Sequence, residues 1–197
     1  MGYKGIDKMI EAVASAHQRG ADIELSIMGT GPDEEMLRAL VKTRGIEDIV
    51  EWITPRPYGP AFFEVLRERD VLLACPLSAD TPRSTWDALA SGMPIVAFDT
   101  PFYAGVGKYT GAIETVEWPS QSALADKLVE LAGDKSMLIS MVRNAVAAAH
   151  ANTGAEWMKK RVGWAKELLG IASEPPQPKT EADAVQTGDQ QWNVAAS

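Results

Sequence analysis

The chain has 197 residues, 46 % of them apolar and 23 % charged, which is enough for one buried core with some sequence left over but not for a second complete domain of about 150 residues. Its 19 Lys and Arg against 27 Asp and Glu give a net charge of -8, a balance that repels nucleic-acid phosphates and anionic lipid surfaces. No apolar run approaches the roughly 18 residues of a spanning helix, the start has no signal-peptide core, and one cysteine with two distant histidines builds neither a disulfide framework nor a zinc site, so a cytoplasmic protein without a transmembrane segment or structural metal is expected.

Along the chain the hydrophobic period alternates between helical spacing and short apolar runs, the pattern of helices interleaved with buried parallel strands. Ile6, Met9, Ile10, Val13 and Ala14 fall on one stripe of a helix over 6–18, which Gly20 is placed to end. A strand over 23–28 stops at Gly29-Thr30-Gly31-Pro32, where Pro32 opens a helix carrying Met36, Leu37, Leu40 and Val41 that Gly45 closes. Strands over 49–53 and 71–75 flank a helix over 60–69. A helix over 82–91 then ends at Gly92, and strands follow over 94–98 and 112–116. Helices are expected over 120–132, 135–151 and 154–169, the last carrying Trp157, Trp164 and Leu168 on an apolar face, all packing over the sheet. One domain is thus expected over 1–172. Residues 173–197 have too little apolar surface to offset the entropy of ordering and read as a disordered acidic tail, in which Trp192 is either solvated or a small docking contact.

In an open parallel sheet, ligands bind beyond the carboxyl ends of the strands, so three stretches there carry the candidate chemistry. Gly29-Thr30-Gly31-Pro32 either lets the backbone approach a ligand at a helix start or is an ordinary glycine turn. The stretch from Pro76 to Asp87 combines a helix N-terminus, the cation Arg83 and the hydroxyls of Ser84 and Thr85, a set suited to a diphosphate. Asp87, one turn into that helix, is able to accept hydrogen bonds from sugar hydroxyls; alternatively Ser84 caps the helix and Asp87 completes a capping box. Lys4 either reaches a phosphate or is solvated. His17 and His150 have no Ser or Asp at triad spacing and read as structural, and Cys75 sits in an apolar run where thiols are inert.

Taken in order, these pieces resemble the nucleotide-sugar-binding half of retaining GT-B glycosyltransferases of the group-1/family-4 type. The match runs from Lys4-Gly5-Ile6-Asp7 through Ile27-Met28-Gly29-Thr30-Gly31-Pro32, Ile49 to Ile53 and Asp70 to Pro76. Its strongest piece is Asp87-Ala88-Leu89-Ala90-Ser91-Gly92-Met93-Pro94-Ile95-Val96-Ala97, similar to the family's acid-Ala-x-Ala-x-Gly-x-Pro-Val-Val-Ala signature, and the resemblance covers residues 3–169. It implies a Rossmann-like doubly wound parallel sheet with C-terminal helices, and a donor that is a UDP- or GDP-linked sugar passed with retention to an acceptor. By the same resemblance, Lys4 meets the donor diphosphate, Gly29 and Gly31 form the loop beside the donor, and Trp52 to Thr54 read the nucleobase through their backbone. Ser84 and Thr85 offer backbone N–H groups to the diphosphate beside Arg83, and Asp87 holds the ribose hydroxyls. No cofactor or metal is implied, the helix dipole and cations stabilising the leaving nucleoside diphosphate.

Two departures accompany the match. The family's paired motif places a glutamate eight residues before the second acid, where this chain has Ala79 followed by Asp80; either Asp80 substitutes as the catalytic acid or the first acid is missing. The family also has a strand and a Gly-Arg pair immediately upstream of the lysine. That first strand and the acceptor-binding domain are expected to be absent, leaving an open slot in the sheet that residues 1–3, at most about 10 Å long, cannot fill. A fragment, a truncated reading frame or one subunit of a split enzyme working with a separate acceptor-binding domain would read this way. A noncatalytic nucleotide-sugar-binding or interaction module is the competing expectation.

Overall fold

The computed structural model describes residues 3–171, so the tail expected from 173 and its Trp192 lie outside the described residues. One compact unit runs to Thr153 and a second begins at Gly154. The described element of the second unit is α8 (Gly154–Leu168), where Lys159 pairs with Glu156 at 2.6 Å and the rings of Trp157 and Trp164 meet edge to face at 6.1 Å.

In the first unit α1 (Ile6–Gln18) is followed by β1 (Leu25–Met28), α2 (Glu34–Arg44), a 3-10 turn, β2 (Val50–Ile53) and α3 (Pro60–Arg67). Then come β3 (Leu72–Ala74), α4 (Arg83–Ala90), β4 (Ile95–Phe98), α5 (Pro101–Thr110), β5 (Ile113–Val116), α6 (Gln121–Gly133) and α7 (Lys135–Ala151). All five expected strands are present and every pairing is parallel, with Leu25 opposite Val50 and Ile95 opposite both Leu72 and Ile113. They form two sheets, β1-β2 and β3-β4-β5.

β4 is buried along its whole length, and the period of two sends Val96 and Phe98 to one face and Ile95 and Ala97 to the other. The first face joins a core with Ile10 and Val13 of α1, Leu25 and Ile27 of β1, and Leu124 and Leu128 of α6. The second meets Leu89 of α4, Tyr103 of α5 and Ala145 of α7. Helices therefore cover both faces, the doubly wound arrangement that the family resemblance implies. Among the described residues, no helix is long and apolar enough to cross a membrane.

Three helices end as their glycines dictate. At Gly20, Gly45 and Gly92 the backbone is left-handed, with φ of 87°, 66° and 75°. The glycine N–H bonds three residues back, and the following N–H, from Ala21, Ile46 or Met93, bonds five residues back, satisfying carbonyls the helix leaves over. One local expectation needs correction, and one element is new. Pro32 does not open α2, which starts at Glu34 after Asp33. The chain from Pro101 to Thr110, for which the periodicity predicts no element, is the helix α5, opened by the Thr100 side chain accepting from the Tyr103 N–H at 3.4 Å. Gly105 and Gly107 lower its intrinsic helical propensity and hide it; a Cβ at Gly107 would lie 2.9 Å from the Ile113 carbonyl oxygen, so α5 rests directly on β5 because that residue is small.

The tightest backbone approach is at the start of α1. Gly5 has φ 65°, and a Cβ there would sit 2.1 Å from the Cys75 carbonyl oxygen at the end of β3. The Leu77 N–H donates to the Tyr3 carbonyl at 2.8 Å, so the chain before α1 runs alongside the segment that leaves β3. Gly5→Ala is therefore expected to suffer both left-handed strain and a clash with backbone, costing about 2 kcal/mol or more, or roughly 5 °C of melting temperature. Gly20→Ala has φ 87° and open space, and is expected to cost only about 1 kcal/mol. Thermal melts of the two variants check this; equal losses would mean that the Gly5 contact is not tight.

Candidate functional site

The segments that leave the carboxyl ends of β1, β2 and β3 carry most of the expected site residues, and Lys4 lies just before α1. After β1, Gly29 has φ 152°, which makes it a glycine of conformation, with open space around it; Gly31 has no positive φ, and its carbonyl accepts from the Glu34 N–H at 3.2 Å. In β2 the Trp52 ring is turned towards α2, with the Arg38 guanidinium 4.2 Å over it. Both residues line an open cavity of about 300 Å³ with Val41, Lys42, Glu47 and Val50. Thr54 follows the end of β2 and is exposed. No hydrogen bond or ion pair links Gly29, Gly31 or Thr54 to the charged residues described next.

Lys4 and Asp80 come together. The Lys4 ammonium donates to Asp80 Oδ2 at 2.8 Å and lies 4.7 Å over the Tyr3 ring, while Asp80 Oδ1 accepts from the Thr81 N–H at 2.8 Å. The Lys4 hydrogen bond, helped by its charge and the Thr81 N–H, holds the Asp80 carboxyl below its ordinary range against a smaller opposing effect of burial. On Lys4, partial burial pulls the pKa down, but the hydrogen bond and charge of Asp80 outweigh it and the ammonium is raised. Lys4 is thus neither simply solvated nor free; it neutralises the acid that stands beside the expected first motif position.

Asp87 lies in a second cluster. The residue is 7 % exposed, and its carboxylate accepts from the Tyr58 hydroxyl at 2.9 Å through Oδ1 and has Arg83 Nε 3.6 Å from Oδ2. Arg83 is the first residue of α4, and its guanidinium stacks 4.6 Å over the Tyr58 ring. The capping-box alternative does not hold: Pro82 precedes the helix with no side-chain cap, Ser84 lies exposed inside the first turn, and the Asp87 carboxylate reaches across to Tyr58 rather than back to a backbone N–H. Thr85 is fully buried, its N–H bonded to the Pro82 carbonyl at 3.2 Å and its hydroxyl 3.5 Å from the Tyr103 hydroxyl.

Tyr58 and Tyr103 are site residues that sequence reasoning passed over. Tyr103, one turn into α5, has its phenol raised chiefly by burial, with the Thr85 hydrogen bond opposing. The Thr100-Pro101 helix-start signal would have placed it; nothing in the sequence joins Tyr58 to Asp87. Cys75 is buried, and desolvation, with the nearby Asp7 charge, pushes its thiol up to about 12, which keeps it protonated and inert. His17 and His150 sit in the last turns of α1 and α7. Among the described residues no three His, Cys, Asp or Glu side chains are grouped to hold a metal ion.

Fold and site define a Rossmann-like α/β domain with acids, cations and a helix N-terminus at the carboxyl ends of parallel strands. The chain belongs to the group 1 glycosyltransferases: the family model "Glycosyl transferases group 1" matches residues 2–147. It is 34 % identical over 98 residues to an uncharacterized glycosyltransferase of Haemophilus influenzae, covering 49 % of this chain and 27 % of that one. Over 100 residues it is 26 % identical to the GtfA subunit of a UDP-N-acetylglucosamine–peptide N-acetylglucosaminyltransferase of Streptococcus pneumoniae, covering 50 % of this chain and 19 % of that one. The chain thus spans only a minor part of the length of these relatives. The crystal structure of Anabaena HepE in complex with UDP superposes with a TM-score of 0.71 at 16 % identity, over 86 % of this chain and 46 % of that one.

The Asp80 pairing has a defined pH signature. A carboxyl whose folded pKa is depressed contributes stability that is complete above its ordinary value and is lost as the pH falls through the depressed one. Carbon-detected NMR titration should therefore find Asp80 titrating below the ordinary aspartate value in the parent protein and moving up in Lys4→Met. An unchanged midpoint in the variant would mean that the pair does not form in solution.

Proposed function

We propose that this chain is the donor-binding half of a retaining glycosyltransferase, which seats a UDP- or GDP-linked sugar at the carboxyl ends of its strands and passes the sugar to an acceptor held by a separate acceptor-binding domain or subunit. The observation that carries the reading is the Asp87 side chain, nearly buried one turn into α4 with a cation one turn before it. An ionised carboxylate in that position is costly unless hydroxyls or cations satisfy it, and the vicinal hydroxyls of a ribose supply paired donors of that kind. The diphosphate then falls to the positive end of α4, with the N–H of exposed Ser84, the Arg83 guanidinium and the Lys4 ammonium as counter-charges. The Thr85 N–H, already bonded to Pro82, is left out of that set.

Charge moves onto the leaving diphosphate as the bond to the sugar breaks, and fixed cations and a helix terminus stabilise it most when that charge is greatest. Asp80 lies beside Lys4; when a diphosphate draws the ammonium away, the carboxylate is freed to face the sugar as the substitute for the first motif acid. HepE was crystallised with UDP, and the pneumococcal O-GlcNAc transferase GtfA with UDP and GlcNAc, which supports UDP as the first nucleotide to test.

Asp87→Ala is expected to weaken UDP or GDP binding by about ten- to a hundredfold, the value of a charge-assisted pair of roughly 1.5–3 kcal/mol. Calorimetric titration measures the affinity, and a melting curve reports the fold. Unchanged affinity together with a lowered melting temperature would assign Asp87 to stability alone and remove the ribose role.

A further inference from the structure

The seat assigned to the ribose is already occupied in the free protein. The Tyr58 hydroxyl donates to Asp87 Oδ1 at 2.9 Å, and a phenol is chemically the same kind of donor to a carboxylate as a sugar hydroxyl. Tyr58 is not a core residue: it is 59 % exposed, in the loop between β2 and α3. Its ring lies under the Arg83 guanidinium at 4.6 Å and against Phe62 and Phe63 at 5.4 and 5.5 Å. Next to it Gly59 has φ 142°, with open space around it, a place where the backbone is able to turn without a side chain in the way.

We propose that Tyr58 is an internal occupant of the nucleoside subsite, whose hydroxyl holds the Asp87 oxygen that a ribose hydroxyl takes when a nucleoside diphosphate binds. This inference rests on the ribose role of Asp87 proposed above. The exchange is isosteric at the carboxylate: one O–H donor leaves and another arrives, so the nearly buried acid keeps a partner at each stage. The same displacement lifts the Tyr58 ring from Arg83 and frees the guanidinium for the diphosphate, so one movement opens both the ribose and the phosphate positions. The affinity of the site for nucleotide is then reduced by the fraction of time that Tyr58 sits in it. Because the hydroxyl belongs to the loop after β2 and the acid to the helix after β3, a ligand that lacks ribose hydroxyls has nothing to put in its place. Tyr58 thereby favours ribonucleotides over phosphate-only anions.

The test is calorimetric titration of UDP and GDP into the full chain and into Tyr58→Phe, Asp87→Ala and Asp87→Asn, with inorganic pyrophosphate as the ligand without ribose. Tyr58→Phe keeps the ring and its stacking but removes the competing hydroxyl, and it is expected to tighten UDP or GDP binding about three- to tenfold. Nucleotide affinity that stays the same or falls in Tyr58→Phe, while Asp87→Ala loses it, overturns the occupant role and leaves the Asp87 reading standing. Affinity unaffected by either Asp87 variant, or no nucleotide binding by either the parent or Tyr58→Phe, overturns both. Pyrophosphate binding as tight as UDP in the parent also counts against Tyr58 as a selector. A spectrophotometric titration supplies the readout that a structural tyrosine would not move. The Tyr58 phenol, read as parent minus Tyr58→Phe, is held above its ordinary value by the Asp87 hydrogen bond and burial in the free protein, and should move back towards it when nucleotide saturates the site. A phenol that does not move on saturation overturns the proposal.

Discussion

The two sheets share no strand pairing among the described residues, so what holds β1-β2 against β3-β4-β5 is a single apolar core rather than a ladder of hydrogen bonds. Leu25 and Ile27 of β1 meet Val96 and Phe98 of β4 through Ile10 and Val13 of α1 and Leu124 and Leu128 of α6. Apolar burial is strong but non-directional. The relative placement of the two halves therefore depends on side-chain fit, and the directional anchors matter more than their number. The Gly5 approach to the Cys75 carbonyl and the Leu77 to Tyr3 hydrogen bond are such anchors, locking the start of α1 to the end of β3. Lys4 stands between them in sequence, and its contact with Asp80 follows from that lock.

The same division shapes the candidate site. Asp80 and Asp87 follow β3, whereas Tyr58 follows β2, so the Tyr58 to Asp87 hydrogen bond joins the loops of one sheet to those of the other. In the free protein both acids are matched to partners: Asp80 to Lys4, and Asp87 to Tyr58 and Arg83. Paired charges cost less to hold together than isolated ones, and a ligand that takes these groups has to replace each partner with one of its own. A nucleoside diphosphate carries both kinds of replacement, hydroxyl donors for the carboxylate and anionic oxygens for the cations.

Much of the fold is legible in the sequence because it is written in local signals. The apolar run from Pro94 to Phe98 is continuous because β4 is buried on both faces, whereas Val71 to Leu73 are apolar yet only half-buried, and Gly20, Gly45 and Gly92 stop helices because only glycine enters the left-handed turn cheaply. α5 is the exception, since Gly105 and Gly107 serve close packing on β5 at the expense of helical propensity. The site was legible in part. Asp87, Arg83 and Lys4 could be picked out by type and position, but Ser84-x-x-Asp87 spells a capping box that the structure does not form, because α4 begins at Arg83. Partners 29 residues apart, such as Tyr58 and Asp87, or 76 apart, such as Lys4 and Asp80, leave no periodic trace in one sequence.

The most direct test of the whole account is a crystal structure of the chain with UDP bound. Such a structure is expected to show ribose hydroxyls on the Asp87 carboxylate, the diphosphate at the first turn of α4 within reach of Arg83 and Lys4, and the Tyr58 hydroxyl displaced from Asp87. UDP seated elsewhere, or bound with the Tyr58 to Asp87 hydrogen bond intact, would contradict it.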